Sequence, residues 1–186
     1  MKAVLISIKP RWCELIASGS KTVEVRKTRP KLETPFKVYI YETKALYKPN
    51  GCRCFYEGKG KVIGEFVCDK IYDIKPHYDI PTFCNQYEYG WKIGEAEDCL
   101  SFEELDFYLG GKNGYGWHIS SLVIYDKPRE LSEFKQVRKI RGYHKKDEPK
   151  TERIYIQALL HSSRVEVKYL TRPPQSWCYV ESEGAK

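Results

Sequence analysis

The sequence lacks any hydrophobic segment long enough to cross a membrane. It has no run of about 18 apolar residues, which excludes a transmembrane helix. Residues 1–8 carry one positive side chain, but their apolar core is too short for a signal peptide. We therefore expect a cytoplasmic protein whose seven cysteines stay reduced.

The sequence also has few cysteines at the spacing typical of metal ligands. Only Cys52 and Cys54 are close together, whereas a structural zinc site needs a second close pair. The side chains that would have to complete such a site are scattered: Cys84, Cys99, His77 and His118. We therefore expect no metal and no cofactor.

Standard catalytic and nucleotide-binding signatures are missing. There is no Gly-x-Ser-x-Gly elbow, no His-Glu-x-x-His pair and no dinucleotide fingerprint. The basic, glycine-rich loop 43–60 lacks the Gly-Lys-Ser/Thr of a P-loop, so it does not predict binding of a nucleoside triphosphate. These absences leave open whether the protein is an enzyme.

The composition that remains is that of one globular domain with a basic surface. Hydrophobic residues make up 41% and charged residues 31% of the 186 positions. The net charge of +7 indicates either affinity for a polyanion or a solvated basic surface. Aromatic residues reach 14%, which suits a β-rich core and also base stacking.

Apolar periodicity predicts a strand, a short helix and a second strand within residues 2–27. Pro10 suits the first turn of the helix, and Gly19 suits its end. In the second strand, Glu24 and Arg26 share one face, either as an exposed pair or as part of a pocket. Trp12 either caps the core or stacks on a ligand.

The rest of the chain predicts mostly strands. A helix is expected from the capping box at Ser101, and a loop or exposed helix over 135–152. Residues 154–160 and 165–170 fit a hairpin, or a helix followed by a strand. The other expected strands cover 36–41, 61–74, 115–125 and the end of the segment 172–180.

The stretch from Lys9-Pro10 to Gly19-Ser20-Lys21-Thr22-Val23-Glu24-Val25-Arg26-Lys27 resembles the signature of ASCH domains, in the PUA-like superfamily. The likeness, of bacterial or phage type, covers roughly residues 1–134 and the final strand. Further matching segments are Tyr39-Ile40-Tyr41, Gly60 to Phe66, Gly114 to Ile119 and Arg172 to Val180.

The resemblance implies an α+β fold, a PUA-like mixed β-barrel with short flanking helices. Residues 1–134 and 172–186 would form this domain, and 135–171 would be a charged insertion. It also implies a cleft that binds RNA or a modified nucleotide. The basic character of the insertion would add phosphate contacts, or it would meet an acidic protein partner.

A few relatives with this signature are enzymes. Small acetylcytidine amidohydrolases use the Lys of the Gly-x-Lys-Thr motif, a Thr three positions later and a Glu from a later loop. Lys21 matches the Lys, but Glu24 stands at the Thr position, so the hydroxyl nucleophile is missing. Glu88 is the candidate for the loop Glu.

The leading expectation is a module that binds single-stranded RNA or a nucleotide base. The alternative is a ribonuclease or modified-nucleoside hydrolase that uses the same cleft, with Lys21 and Glu24 as candidate catalytic residues. Lys21 and Arg26 would meet phosphate or a base carbonyl, and an aromatic ring would stack on the base. The expected binding residues are Lys9, Trp12, Lys21, Glu24, Arg26, Tyr41 and Trp117.

Overall fold

The computed structural model describes residues 2–47, 56–74, 92–93, 96–97, 100, 102–140 and 164–181. Within these residues, the α-helices are α1 (Pro10–Ala17) and α2 (Phe102–Leu109), and a 3-10 helix covers Leu131–Glu133. The strands are β1 (Lys2–Ile8), β2 (Val23–Arg26), β3 (Phe36–Glu42), β4 (Leu46–Tyr47), β5 (Tyr56–Glu57), β6 (Val62–Cys68), β7 (Ile71–Ile74), β8 (Lys92–Ile93), β9 (Ala96–Glu97), β10 (Gly114–His118), β11 (Ser120–Arg129), β12 (Lys135–Ile140), β13 (Arg164–Tyr169) and β14 (Trp177–Glu181). The α+β class is therefore confirmed.

Strand β1 lies inside a five-stranded sheet with the order β11-β6-β3-β1-β14. It runs parallel to β3 and antiparallel to β14. Val4 and Ile6 pack into a core on one face of the sheet, whereas Ala3 and Leu5 pack into a core on the other. Because both faces are covered, this strand carries a nearly continuous apolar run.

Helix α1 begins and ends where the sequence predicts. Pro10 occupies the first turn, where its missing N–H costs no hydrogen bond. The carbonyl of Lys9 accepts from the amides of Trp12 and Cys13 at 3.0 and 3.1 Å. Gly19 has a φ of +78°, which favours glycine, and the chain then turns into β2.

Two segments that the sequence predicts as single strands are each divided between two sheets. Residues 61–74 form β6 and β7, and residues 115–125 fall in β10 and β11. Strands β2, β10 and β7 make a separate three-stranded sheet. The breaks fall where Asp69 binds the ring of His118 at 2.7 Å and where the Ile119 amide donates to Thr22 at 2.8 Å.

The strands that the structure describes do not close into the expected barrel. β11 and β14 form the two edges of the five-stranded sheet, and each pairs there with one neighbour. The three-stranded sheet has its own ladder. The chain leaves the first sheet at Asp69 and enters it again after Ile119, so strand pairing does not continue around the molecule.

Two paired strands, β12 and β13, lie near the two ends of the segment 135–171. β12 pairs antiparallel with β13, with Lys135 opposite Tyr169. The expectation of a loop or helix is therefore wrong for residues 135–140. The amide of Leu170 donates to Phe134 at 2.9 Å, and both side chains pack under the five-stranded sheet. Residues 141–163 lie outside the described residues, and an insertion over 135–171 stays a prediction.

No helix in the described part of the chain is long and apolar enough to cross a membrane.

Candidate functional site

Lys21, Glu24 and Arg26 form a buried charge cluster. Their exposed fractions are 2%, 6% and 8%. Arg26 Nη2 lies 2.9 Å from Glu24 Oε1, and Lys21 Nζ lies 3.8 Å from Glu24 Oε2. The interpretation of Glu24 and Arg26 as an exposed pair is therefore wrong. The two side chains are paired, but they are buried.

The cluster lies where the two sheets approach each other. In the three-stranded sheet, Glu24 is opposite Trp117, and Arg26 is opposite Tyr115. Arg26 Nη2 also donates to the backbone carbonyl of Ser7 at 2.6 Å, and Ser7 belongs to β1 of the other sheet. The guanidinium of Arg26 therefore joins the two sheets, which fixes its position.

Trp12 covers the cluster from α1. The Lys21 ammonium lies 5.2 Å from the centre of the Trp12 ring, and the Arg11 guanidinium lies 4.5 Å from it. Arg11 also forms a 3.0 Å ion pair with Glu104, which ties α1 to α2. Trp12 is half-buried, so its indole combines contact with the charges and partial contact with solvent.

Tyr108 of α2 is a further member of this site that sequence reasoning missed. Burial raises the pKa of its hydroxyl above the ordinary value, although the positive charge of Arg26 acts in the opposite direction. The Tyr108 side chain therefore lies close enough to Arg26 to be influenced by its charge, and Lys27 Nζ lies 5.2 Å from the centre of the Tyr108 ring. No local sequence pattern indicates this role, because α2 is far from β2 in the sequence. Strands of both sheets lie between the two elements.

Cys13 and Glu42 are also buried near the cluster. Burial raises the pKa of the Cys13 thiol strongly, and the carboxylates of Glu42 and Glu24 act in the same direction. The thiol is therefore neutral and lacks the thiolate of a nucleophile. Glu42 Oε2 accepts from the Lys59 amide at 2.9 Å, which compensates part of its burial.

Tyr41 and Trp117, expected to stack on a base, lie in the apolar interior instead. Trp117 is 0% exposed and packs edge-on against Phe36, with 5.9 Å between the ring centres. Tyr41 packs on the opposite face of the five-stranded sheet, against Val62. Neither ring offers a free face, because their strand positions point into the two cores. Lys9 is exposed at the start of α1.

Within the described part of the chain, the cluster contains one hydrogen-bond donor without a partner. Among the described residues, the buried atoms without a hydrogen-bond partner are Arg26 Nε, Thr43 Oγ1 and Trp117 Nε1. An unpaired buried N–H costs about 1–3 kcal/mol. A ligand oxygen placed at Arg26 Nε would remove this cost.

The described residues contain no group of three or more His, Cys, Asp or Glu side chains that could hold a metal ion. Glu88, the candidate loop glutamate, and the possible zinc ligands Cys84, Cys99 and His77 lie outside the described residues.

Comparison with known proteins identifies the family. No curated protein matches the chain. Among solved structures, it is similar to ASCH from Zymomonas mobilis, with 22% identity over 69% of this chain and 73% of that one, and a TM-score of 0.45. A mutant of the Zymomonas mobilis ASCH protein has 21% identity over 70% and 77% of the two chains, and a TM-score of 0.47. The ASCH domain family matches residues 6–146, which is most of the sequence, and the chain therefore belongs to the ASCH domain family.

Proposed function

We propose that the protein binds single-stranded RNA, or a nucleotide with a modified base, at the buried charge cluster. One observation carries this proposal. Two buried cations, Lys21 and Arg26, both pair with the carboxylate of Glu24, and Arg26 Nε remains unpaired among the described residues. An electron-rich oxygen is the group that this arrangement would accept.

Each residue of the cluster then has a distinct role. Arg26 donates from Nε to a carbonyl of the base, while Glu24 and the Ser7 carbonyl hold its guanidinium in place. Lys21 supplies positive charge to the phosphate or base carbonyl. Trp12, half-exposed beside Lys21, is the ring that stacks on the base.

Two general properties support the proposal. ASCH domains generally have a nucleic-acid-binding PUA-like fold. The net charge of +7 favours association with a polyanion at long range. The ligand would be a single unpaired base, because the buried cluster has no room for a duplex.

Catalysis at the same site is the second candidate function, and Tyr108 is the observation that favours it. Glu24 stands where related amidohydrolases have a hydroxyl, but the Tyr108 hydroxyl lies beside Arg26. In this alternative, Lys21 and Glu24 act as the acid–base pair of a ribonuclease or modified-nucleoside hydrolase. Tyr108 would contribute the missing hydroxyl.

Fluorescence anisotropy with labelled single-stranded RNA at two salt concentrations tests the binding function. The wild type should bind, and Lys21→Met should lose binding, since methionine keeps the volume but removes the charge. Lys112→Met, at an exposed lysine outside the cluster, is the matched control and should bind normally. Absence of wild-type binding at low salt, or unchanged binding by Lys21→Met, would contradict the proposal.

Incubation of the same RNA with the protein, with and without a chelator, tests ribonuclease activity. The catalytic alternative expects cleavage products that Lys21→Met and Tyr108→Phe reduce. RNA that stays intact would refute the ribonuclease.

A further inference from the structure

A cavity lies where the hairpin β12–β13 meets the segment that leads into β14, and none of the three residues of the buried charge cluster lines it. Its volume is about 530 Å³, within the range of sites for small molecules and single nucleotides. The side chains relevant here are Lys168, Tyr169, Arg172 and Trp177. Sequence reasoning singled out none of them as site residues.

The cavity is positively charged. Lys168 and Arg172 both line it and both are exposed, whereas none of the described residues that line it is acidic. A guanidinium presents a planar set of donors that matches a phosphate, and a lysine adds a point charge. This wall therefore favours a phosphate group.

The same cavity presents aromatic surface. Tyr169 is 52% exposed. Lys135 Nζ lies 5.3 Å from the centre of its ring, so a cation lies against the ring. Trp177 is held by a 3.0 Å hydrogen bond from Nε1 to Thr28 Oγ1. An exposed ring beside two cations is typical of sites that stack a base and hold its phosphate.

Ser7 connects this cavity to the buried charge cluster. Its hydroxyl donates to the carbonyl of Pro174 at 2.7 Å, and its amide donates to Ser176 at 2.9 Å. Pro174 lines the cavity. The carbonyl of Ser7 accepts from Arg26 at 2.6 Å. One residue of β1 therefore contacts both the base-recognising arginine and the wall of the cavity.

We propose that the cavity binds a second nucleotide of the single strand whose base is recognised at Arg26. Arg172 and Lys168 hold its phosphate, and Tyr169 stacks on its base. This inference rests on the proposed function of the cluster. It divides recognition between a buried site for one base and a more open site for a neighbouring nucleotide.

Binding measured with two ligands separates the two sites. A labelled nucleoside, which carries no phosphate, reports on recognition of a base, and an RNA of about 12 nucleotides, within the footprint of single-strand binding domains, reaches both sites. The Lys168→Ala/Arg172→Ala double variant should bind the nucleoside like the wild type, because the two lost side chains contact only a phosphate. For the RNA, the magnitude of the slope of log affinity against log salt should fall by about 0.7, the value for one lost phosphate contact on a single strand.

Tyr169→Ala should weaken binding of the longer RNA by at least about fivefold, whereas Tyr169→Phe should keep it, because stacking needs the ring and not the hydroxyl. Lys70→Ala/Lys112→Ala, a double variant of two exposed lysines that do not line the cavity, is the matched control and should leave the salt slope unchanged.

Alkylation of Cys178 gives a local readout of occupancy. Cys178 lines the cavity, is partly exposed and is not in a disulfide, so iodoacetamide modification followed by mass spectrometry reports access. The RNA should slow this modification in the wild type and not in the Lys168→Ala/Arg172→Ala variant.

The outcomes distinguish the two proposals. Absence of RNA binding by the wild type would overturn the function of the cluster. RNA binding with an unchanged salt slope in the double variant would overturn only the cavity. Protection of Cys178 by an oligo-glutamate peptide but not by RNA would show that the cavity binds an acidic protein instead, which also overturns the inference.

Discussion

Glu24 is held between two buried cations, 2.9 Å from Arg26 and 3.8 Å from Lys21. Taking three charges out of water carries a large desolvation cost, which their mutual attraction offsets only while all three remain in place. The arrangement is weak evidence for stability, but it keeps charge in the interior of the protein. Loss of the carboxylate would remove the ion pair of each cation with Glu24.

Glu24→Gln should therefore lower the free energy of unfolding by about 3–5 kcal/mol, the usual cost of removing one partner from a buried pair. Chemical denaturation measures this change. Glu104→Gln is the control, because Glu104 pairs with Arg11 at the surface with 39% of its side chain exposed, and such pairs contribute at most about 1 kcal/mol. Equal losses in the two variants would contradict the burial argument.

The sequence predicts that Glu24 and Arg26 lie side by side, but it does not predict that they are buried. Strand alternation places Glu24 and Arg26 on one face, and the resemblance to ASCH domains indicates a cleft there. The sequence does not show that Ser7 and Tyr108 lie beside Arg26. Ser7 belongs to a different sheet, and Tyr108 belongs to a helix that is distant in the sequence. Burial of a polar strand face is decided by these non-local elements.

At the scale of elements, β6 packs closely against a neighbouring strand at Gly64. Gly64 lies between Ile40 of β3 and Ile124 of β11. A Cβ added at Gly64 would overlap the backbone carbonyl oxygen of Val123. Neighbouring backbone cannot move aside as a side chain can, so glycine is required here for close approach of two strands.

Gly64→Ala should lower the free energy of unfolding by about 1–3 kcal/mol, the usual cost of overpacking. Gly114→Ala is the matched control, because a Cβ there meets mainly the Leu109 side chain, which can rotate away. Thermal unfolding of both variants checks the order. A larger loss of unfolding free energy in Gly114→Ala than in Gly64→Ala would contradict the argument that backbone crowding at β6 requires glycine.

Sequence periodicity identifies most of these strands, but not the sheet to which each belongs. Lys61 to Ile74 forms one apolar pattern, yet Asp69 leaves the first sheet to bind His118. The division of β10 from β11 at Ile119 has the same origin, since its amide bonds to Thr22. Such breaks depend on partners that are remote in sequence.

On the scale of the whole molecule, one carboxylate joins three neighbouring strands of the large sheet. Glu65 of β6 accepts from Lys37 of β3 at 2.8 Å and from Tyr125 of β11 at 2.6 Å. Burial alone would raise the pKa of Glu65, but the hydrogen bonds from Lys37 and Tyr125 outweigh it and lower the pKa below its ordinary value. Stability of the sheet is thereby linked to pH.

Because the pKa of Glu65 is lower in the folded state, its contribution is fully present above its unfolded pKa of about 4.3 and is lost as the pH falls through the folded pKa. Urea unfolding of Glu65→Gln should show a deficit at neutral pH that shrinks in acid. Asp126→Asn, at an exposed position of β11, is the control and should show no such convergence. A pH-independent deficit for Glu65→Gln would disprove the linkage.

The pairing of β1 with β14 has a consequence for synthesis on the ribosome. β1 emerges first, but one of its edges stays unpaired until β14 is made, and β14 follows every other strand described. Until then, the nascent sheet exposes an unpaired, apolar strand edge, a known starting point for association between chains. We therefore expect the growing chain to depend on chaperones until β14 has left the ribosomal tunnel.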